Sequence, residues 1–308
     1  MKKSNFPFRN NRNRNKYELK PKIEQKPKKY IKLGPNSKVC ILLISHNIIE
    51  RCNALIHSLK ELGVKDIYIS DDPKKIHCNY LFVFKGRKLY SPHRNYGYSI
   101  LIQTEQLWNM REDNFYYVGR NFNRCLENYE ENAKIRYGTG NVIFCPLGYS
   151  PAFESNIEIE EEIHDCFFFG SRTKRRSEFL KYLNGNGIKV YCPKMIWGEE
   201  RDKALLSTKI NINIKAYDQW LFTPTRTLLI LCKKKFLLSE KFDGGYGPYV
   251  PGKHFIEFNS KHDMLDKAKY YLKHEKERKE FALSAYEDIK NNLNYTDILR
   301  NKLGDLLE

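Results

Sequence analysis

Two stretches of the chain place glycine, hydroxyl and arginine residues where an anion can be held. In FFFGSRTKRR, Phe167 to Phe169 end an apolar strand. Gly170, Ser171 and Arg172 then turn into a helix carrying Arg175 and Arg176. Glycine lets a backbone approach a phosphate closely, and the free N–H groups of a helix start complement its charge. In TPTR, Thr223 is placed to cap a helix, Pro224 suits the first turn, and Arg226 falls inside that turn. A helix start disfavours a cation, so an arginine there points to an anion beside it, and a guanidinium matches a diphosphate with paired hydrogen bonds. Each stretch also has a plainer reading. The first can be an ordinary strand–helix turn with a solvated basic face, the second a surface arginine paired with a carboxylate.

Carboxylates and bases complete the candidate chemistry. Glu240 ends a strand, and Asp243 follows in the glycine-rich loop DGGYGPYVPG. Carboxylates at a strand's carboxyl end can hold ribose or sugar hydroxyls in a crevice; the alternative is a surface turn in which Asp243 satisfies local N–H groups. His46 follows the first strand, and its ordinary pKa suits a general base at neutral pH. Glu105, at the end of a later strand, is the competing base. For both, capping or another structural hydrogen bond is the alternative. Asp71 and Asp72 precede Pro73 and read as a turn, and the eight cysteines contain no CxxC pair. No metal site is expected.

These residues need a scaffold, and the hydrophobic pattern supplies one. Lys38–Ser45 (KVCILLIS) is a short apolar run suited to a central parallel strand. Asn47–Gly63 follows as an amphipathic helix with Asn47 as its cap. Further strands are predicted at Asp66–Ser70, Tyr80–Phe84, Tyr98–Gln106, Phe115–Val118 and Val142–Tyr149. The alternation restarts with a strand at His164–Ser171, a helix at Thr173–Gly187, a strand at Ile188–Pro193 and a short helix then strand within Lys203–Ile214. A helix at Pro224–Cys232 and strands at Lys234–Glu240 and His254–Phe258 follow. Met264–Leu293 reads as a long charged helix with a break. Successive strand–helix units predict an α/β fold with two doubly wound parallel sheets, joined near Pro146–Ser155.

Composition narrows the class. The chain of 308 residues suits two domains, and 41% hydrophobic content is enough for two cores. The formal charge is +17, but residues 1–32 hold twelve Lys or Arg and two Glu, leaving +7 on the rest. That segment, with Pro21 and Pro27, is expected to be a flexible basic tail. It is either an electrostatic arm for nucleic acid or another polyanion, or a solubilising segment without a specific partner. No apolar run approaches the ~20 residues of a membrane span. Scattered cysteines in apolar runs read as free thiols in a reducing compartment, and the cytoplasm is the expected location.

The order of motifs in the second half carries a resemblance. FFFGSRTKRRSEFLKYLNGNGIKVY, KALLSTKININI, TPTRTLLILCKKKFLLSEKFD and PGKHFIEFNS, in that succession, resemble the C-terminal domain of GT-B glycosyltransferases. The likeness is nearest to the spore-maturation-type and polysaccharide-type (family 1-type) members. PLGYSPAF is similar to their interdomain segment, and QTEQ (Gln103–Gln106) to a strand end in viral and bacterial members. The likeness spans residues 38–290 and is strongest over 164–260. Leu228 stands where those families often carry Glu, and Lys234 near an expected Gly.

The resemblance implies two Rossmann-like domains facing a central cleft. Residues 33–150 would form the acceptor domain and 151–308 the donor domain, with the last helix packing back on the first. It further implies transfer of a sugar from a nucleoside-diphosphate sugar, a UDP-sugar foremost, to a glycan or protein hydroxyl, with no metal and no cofactor besides the donor. The implied donor contacts are Gly170, Ser171, Arg172, Arg176, Thr223, Arg226, Glu240 and Asp243; His46 and Glu105 are the catalytic candidates. Two other functions fit the same fold: glycosylation of modified DNA bases, as by phage or viral enzymes in a host cytoplasm, and non-enzymatic nucleic-acid binding on a degenerate GT-B scaffold.

Overall fold

The computed structural model describes residues 31–43, 48–84, 96–104, 106, 122–135, 141–218 and 221–308. Its first sheet is built from Lys38–Leu42 (β1), Asp66–Ser70 (β2), Cys78–Phe84 (β3), Tyr96–Gln103 (β4), Arg124–Glu127 (β5) and Val142–Phe144 (β6). The spatial order is β2-β1-β3-β4-β5-β6, every pairing parallel. Parallel strands are buried on both faces, which is why β1 and β3 read as continuous apolar runs. Val39 and Ile41 face helix α1 (Ile49–Glu61) through Cys52, Leu55 and Leu59, while Cys40 and Leu42 join Leu81, Val83 and Leu101 on the other face.

The second sheet contains His164–Phe167 (β7), Val190–Tyr191 (β8), Thr208–Asn213 (β9), Leu237–Glu240 (β10) and Ile256–Phe258 (β11), in the order β11-β10-β9-β7-β8 and again parallel. Between them run α2 (Glu130–Ile135, in the first domain), α3 (Lys174–Gly185), α4 (Gly198–Leu206) and α5 (Pro224–Leu231). After β11 come α6 (Lys261–Lys273), α7 (Glu275–Asn292) and α8 (Tyr295–Leu303). In each sheet the first strand has later strands on both sides: β1 lies between β2 and β3, and β7 between β8 and β9. Crossovers therefore leave in opposite directions and open a crevice at the carboxyl ends, where ligands of doubly wound sheets bind.

The expected α/β architecture of two parallel sheets is what the chain adopts. Some expectations need correction. β10 begins at Leu237 rather than Lys234, because Lys234 sits in a left-handed conformation (φ 55) that ends the preceding turn. The break expected within Met264–Leu293 falls at His274, which divides the segment into two helices. β5 lies outside the predicted strands: RCLE is four residues, charged at both ends, without a strand-like pattern. The predicted strand at Phe115–Val118 lies outside the described residues.

The end of the chain returns to the first domain. Leu33 N donates to Leu306 O (2.7 Å), Glu308 N to Leu33 O (3.2 Å), and Arg124 Nη1 to Asp305 Oδ1 (2.7 Å). α8 lies along α1, with Thr296 Oγ1 donating to Ser58 Oγ at 3.1 Å. One hydrophobic cluster runs from Val39 and Leu55 through Tyr149 and Phe153 to Leu228, Phe255 and Leu303, so the two sheets share a core.

Candidate functional site

The crevice of the second sheet opens where β7 and β9 end. The turn after β7 passes through Phe168 and Phe169 to Gly170, whose φ of +126 is a backbone conformation that other residues rarely adopt. Thr173 caps α3 by accepting a hydrogen bond from Arg176 N (3.2 Å). The buried Arg176 side chain then reaches back. Its Nε donates to Ile214 O (2.9 Å) and its Nη1 to Ser171 O (2.9 Å) and Ser171 Oγ (3.1 Å). Arg176 thus ties the glycine–serine turn to the end of β9.

Arg226 comes to the same place from α5. Its Nη1 donates to Asn213 Oδ1 (2.6 Å), and the Asn213 amide is oriented by donating to Ser239 Oγ (3.1 Å) on β10. A Cβ on Gly170 would lie 2.7 Å from Arg226 Nη2. The guanidiniums of Arg226 and Arg176 both lie over the Phe168 ring, at 5.4 and 5.2 Å. Among the described residues neither meets a carboxylate, and Arg226 Nε is buried without a hydrogen-bond partner. Burial, then the neighbouring charge of Arg176, presses the Arg226 pKa down to about 9; burial, then Arg175, presses Arg176 down to about 10. Both groups keep their charge at neutral pH, in surroundings short of negative charge. An anion would relieve that. The plainer reading of Arg226, a surface ion pair, does not describe this arrangement.

The neighbouring strand end is differently built. Glu240 is buried, its Oε2 accepting from Arg175 Nη1 and from Lys215 N (2.8 Å each), while Arg175 Nη2 donates to Oε1. Lys215 Nζ lies 3.7 Å from the exposed Asp243.

The first domain closes the crevice from the other side. Gln106 makes a two-way bond with the Leu221 backbone: Nε2 donates to Leu221 O (2.9 Å) and Leu221 N donates to Oε1 (2.8 Å). Glu131, at the start of α2, accepts from Gly245 N through Oε1 at 2.6 Å. On the flank, Glu50 of α1 accepts from the buried Arg201 of α4 at 2.7 Å. Among the described residues no cluster of three or more His, Cys, Asp or Glu could hold a metal ion.

Comparison with known proteins agrees with this fold. An alpha-glucosyltransferase solved with UDP-glucose and DNA containing an abasic site matches with a TM-score of 0.66 at 8% identity, over 88% of this chain and 99% of that one. HepE of Anabaena, solved with UDP and glucose, matches with a TM-score of 0.61 at 8% identity, over 88% and 99%. An alpha1,3-fucosyltransferase solved with GDP matches with a TM-score of 0.54 at 12% identity, over 87% and 89%. No curated protein matches the chain. Residues 168–304 match the family described as Glycosyl transferase-like. The chain has the fold of the GT-B glycosyltransferases, and its second half matches a glycosyltransferase-like family.

The family match begins at the turn that carries Gly170. Of the residues singled out in the sequence, the fold brings together Gly170, Ser171, Arg176 and Arg226, with Glu240 on the adjoining strand end. Arg172 turns away and is exposed: its guanidinium donates to Cys192 O and Sγ. Thr223 occupies the N-cap position of α5, but its side chain makes no capping hydrogen bond; its carbonyl accepts from Thr227 Oγ1 instead (3.2 Å). His46 and Glu105 lie outside the described residues. Asn213, Gln106 and Glu131 were not anticipated as site residues. Asn213 had a signal, an amide at the carboxyl end of a strand in which Ile210 and Ile212 alternate with Asn211 and Asn213, whereas nothing in its neighbourhood marks Glu131.

Proposed function

We propose that this glycosyltransferase moves a sugar from a nucleoside-diphosphate sugar, a UDP-sugar foremost, to a hydroxyl of a glycan or protein. Arg226 carries the reading: a charged guanidinium held by Asn213 beside the Gly170 turn, with no carboxylate partner and one buried N–H unsatisfied. In the reaction the acceptor oxygen bonds to the anomeric carbon while the bond from that carbon to the diphosphate oxygen breaks. The acceptor proton passes to a base, for which His46 and Glu105 are the candidates. The nucleoside diphosphate leaves with both electrons and gains negative charge. Arg226 and the N–H groups of the Gly170–Ser171 turn neutralise it, so no divalent metal is needed in this reading. Ser171 and Arg176 shape that turn, Thr223 starts the helix bearing Arg226, and Glu240 and Asp243 border the nucleoside side; Arg172 contributes only if it leaves Cys192. A cytoplasmic location is part of this reading, supported by the eight free cysteines.

The test is a thermal-shift panel of UDP-, GDP- and CMP-sugars with and without EDTA, followed by turnover. Stabilisation by one nucleotide class, lost in Arg226→Ala and insensitive to EDTA, supports the reading. A panel that neither stabilises the protein nor is consumed removes it.

DNA is a second acceptor reading. It is supported by the likeness to an alpha-glucosyltransferase solved with UDP-glucose and DNA, together with the basic residues 1–32. Incubation with labelled donor and hydroxymethylated DNA, against a glycan and peptide panel, separates the two.

A further inference from the structure

Resting on the donor reading above, we infer that Glu131 reads a hydroxyl of the donated sugar and, through the same carboxylate, sets the glycine loop on the donor side of the cleft. The two oxygens of Glu131 are unlike. Oε1 accepts from Gly245 N at 2.6 Å across the domain boundary. Oε2 is sealed from solvent and has no hydrogen-bond partner. A carboxylate oxygen left dry and unbonded is unfavourable, and native structures supply such a group with a donor. A phosphate cannot be that donor, since it brings like charge and no proton. A sugar hydroxyl can.

Two buried atoms without a partner lie on opposite sides of the crevice and differ in chemistry: Arg226 Nε on the second domain is a cationic donor, and Glu131 Oε2 on the first is an anionic acceptor. A ligand with an anionic end and a polyhydroxyl end fits that division in one orientation. The diphosphate lies toward Arg226 and the sugar toward Glu131.

The loop passes close to its neighbours at two glycines. Gly245 has φ +80, and a Cβ there would stand 2.7 Å from the Leu221 Cβ. The Leu221 backbone is in turn held by Gln106. A Cβ on Gly244 would meet Glu131 Oε1 at 2.9 Å. A sugar whose hydroxyl does not reach Oε2 leaves that oxygen unsatisfied.

Glu131→Gln separates the two jobs. The glutamine carbonyl still accepts from Gly245 N, but an NH2 donor replaces the acceptor at Oε2. Full-length protein is titrated with UDP, GDP, UDP-glucose, UDP-galactose, UDP-N-acetylglucosamine and GDP-mannose, and turnover is measured with the donors that bind. The wild type is expected to prefer one sugar nucleotide over its epimer by about tenfold or more, as sites built around a hydroxyl do. Glu131→Gln should melt with the wild type and bind the bare nucleotide equally well, yet lose that preference. Glu131→Ala should also raise KM for every sugar nucleotide. A Gln variant that keeps the epimer preference overturns the inference and leaves the donor reading standing. So does one that loses bare nucleotide and sugar nucleotide alike, or a wild type that binds both epimers equally. A wild type that binds no nucleotide and no sugar nucleotide overturns the donor reading, and this inference with it.

Discussion

Gly170 and Arg226 occupy the same few ångströms of the crevice: the position a Cβ would take on Gly170 is 2.7 Å from Arg226 Nη2. The glycine is therefore needed twice, for a φ of +126 and for the space the guanidinium fills. The guanidinium cannot simply swing aside, because Asn213 fixes its other end.

Gly170→Ala should consequently damage nucleotide binding more than folding. Backbone strain at such a position costs on the order of 1–3 kcal/mol, and displacing Arg226 adds a loss seen only in the ligand assay. Chemical denaturation and nucleotide titration on the same sample check this; equal losses in both would mean that the contact has no bearing on the ligand.

Arg226→Lys tests whether geometry or charge matters. Lysine keeps the charge but not the planar fork that reaches Asn213 and a diphosphate together. A hydrogen bond to a charged group contributes about 1.5–3 kcal/mol. Nucleotide affinity should fall by about 10- to 150-fold by isothermal titration, approaching the alanine variant. Full retention of affinity in the lysine variant would reduce Arg226 to a point charge.

Gln106→Ala removes both hydrogen bonds that join the first domain to the Leu221 backbone. At about 0.5–1.5 kcal/mol for each, thermal stability should drop modestly. Small-angle scattering should show a wider distribution of interdomain distances, and bound nucleotide should narrow it. An unchanged scattering profile with unchanged stability would show that the clasp does not restrain the domains.

Acid should weaken the fold through His254 and Asp288. His254 Nδ1 accepts from Val250 N (2.8 Å), so its proton sits on Nε2 toward Asp288 Oδ2 at 2.7 Å. Burial lowers the His254 pKa below 6.5 despite the Asp288 charge. At Asp288 burial works the other way, but hydrogen bonds from Lys253, His254 and Asn292 prevail and hold its pKa at about 2, below the ordinary 3.8. Both folded-state values lie below the unfolded ones. The histidine contribution is lost as pH falls below 6.5, and the aspartate contribution as pH falls from 3.8 through about 2. Melting temperature followed downward from neutral pH should decline in both windows, and Asp288→Asn should flatten the lower one. A flat profile would contradict the linkage.

Deleting residues 1–30 removes most of the basic segment and spares Ile31 and Lys32, which bond to Tyr80 and to Asp305. Heparin or DNA affinity should fall and lose much of its salt dependence, while donor turnover stays at the wild-type rate. Loss of turnover as well would show that the segment is not separable from the enzyme.

Much of the second half was legible because its signals are local. A glycine–serine turn after an apolar strand, a proline-led helix with an arginine in its first turn, and a strand ending in Glu240 each express a backbone preference within a few residues. Local pattern misleads where local and tertiary demands differ. Thr223 sits at the cap position without making the capping bond, and β5 pairs with β4 and β6 although RCLE has no strand pattern of its own. Arg172 and Arg176 look alike in sequence, yet one lies exposed on Cys192 and the other is buried as the tie between β7 and β9.

By itself the sequence determined the two α/β halves, the crevice-facing turns and the residue types that could hold a diphosphate, since periodicity and turn chemistry act at short range. Only the tertiary structure decided which of those residues meet. Gly170 reaches Arg226 because β7 and β9 are neighbours at the switch point of the sheet. Gln106 and Glu131 reach Leu221 and Gly245 because the two domains close on one another. Those encounters depend on strand order and domain packing, long-range properties that no spacing within either segment carries.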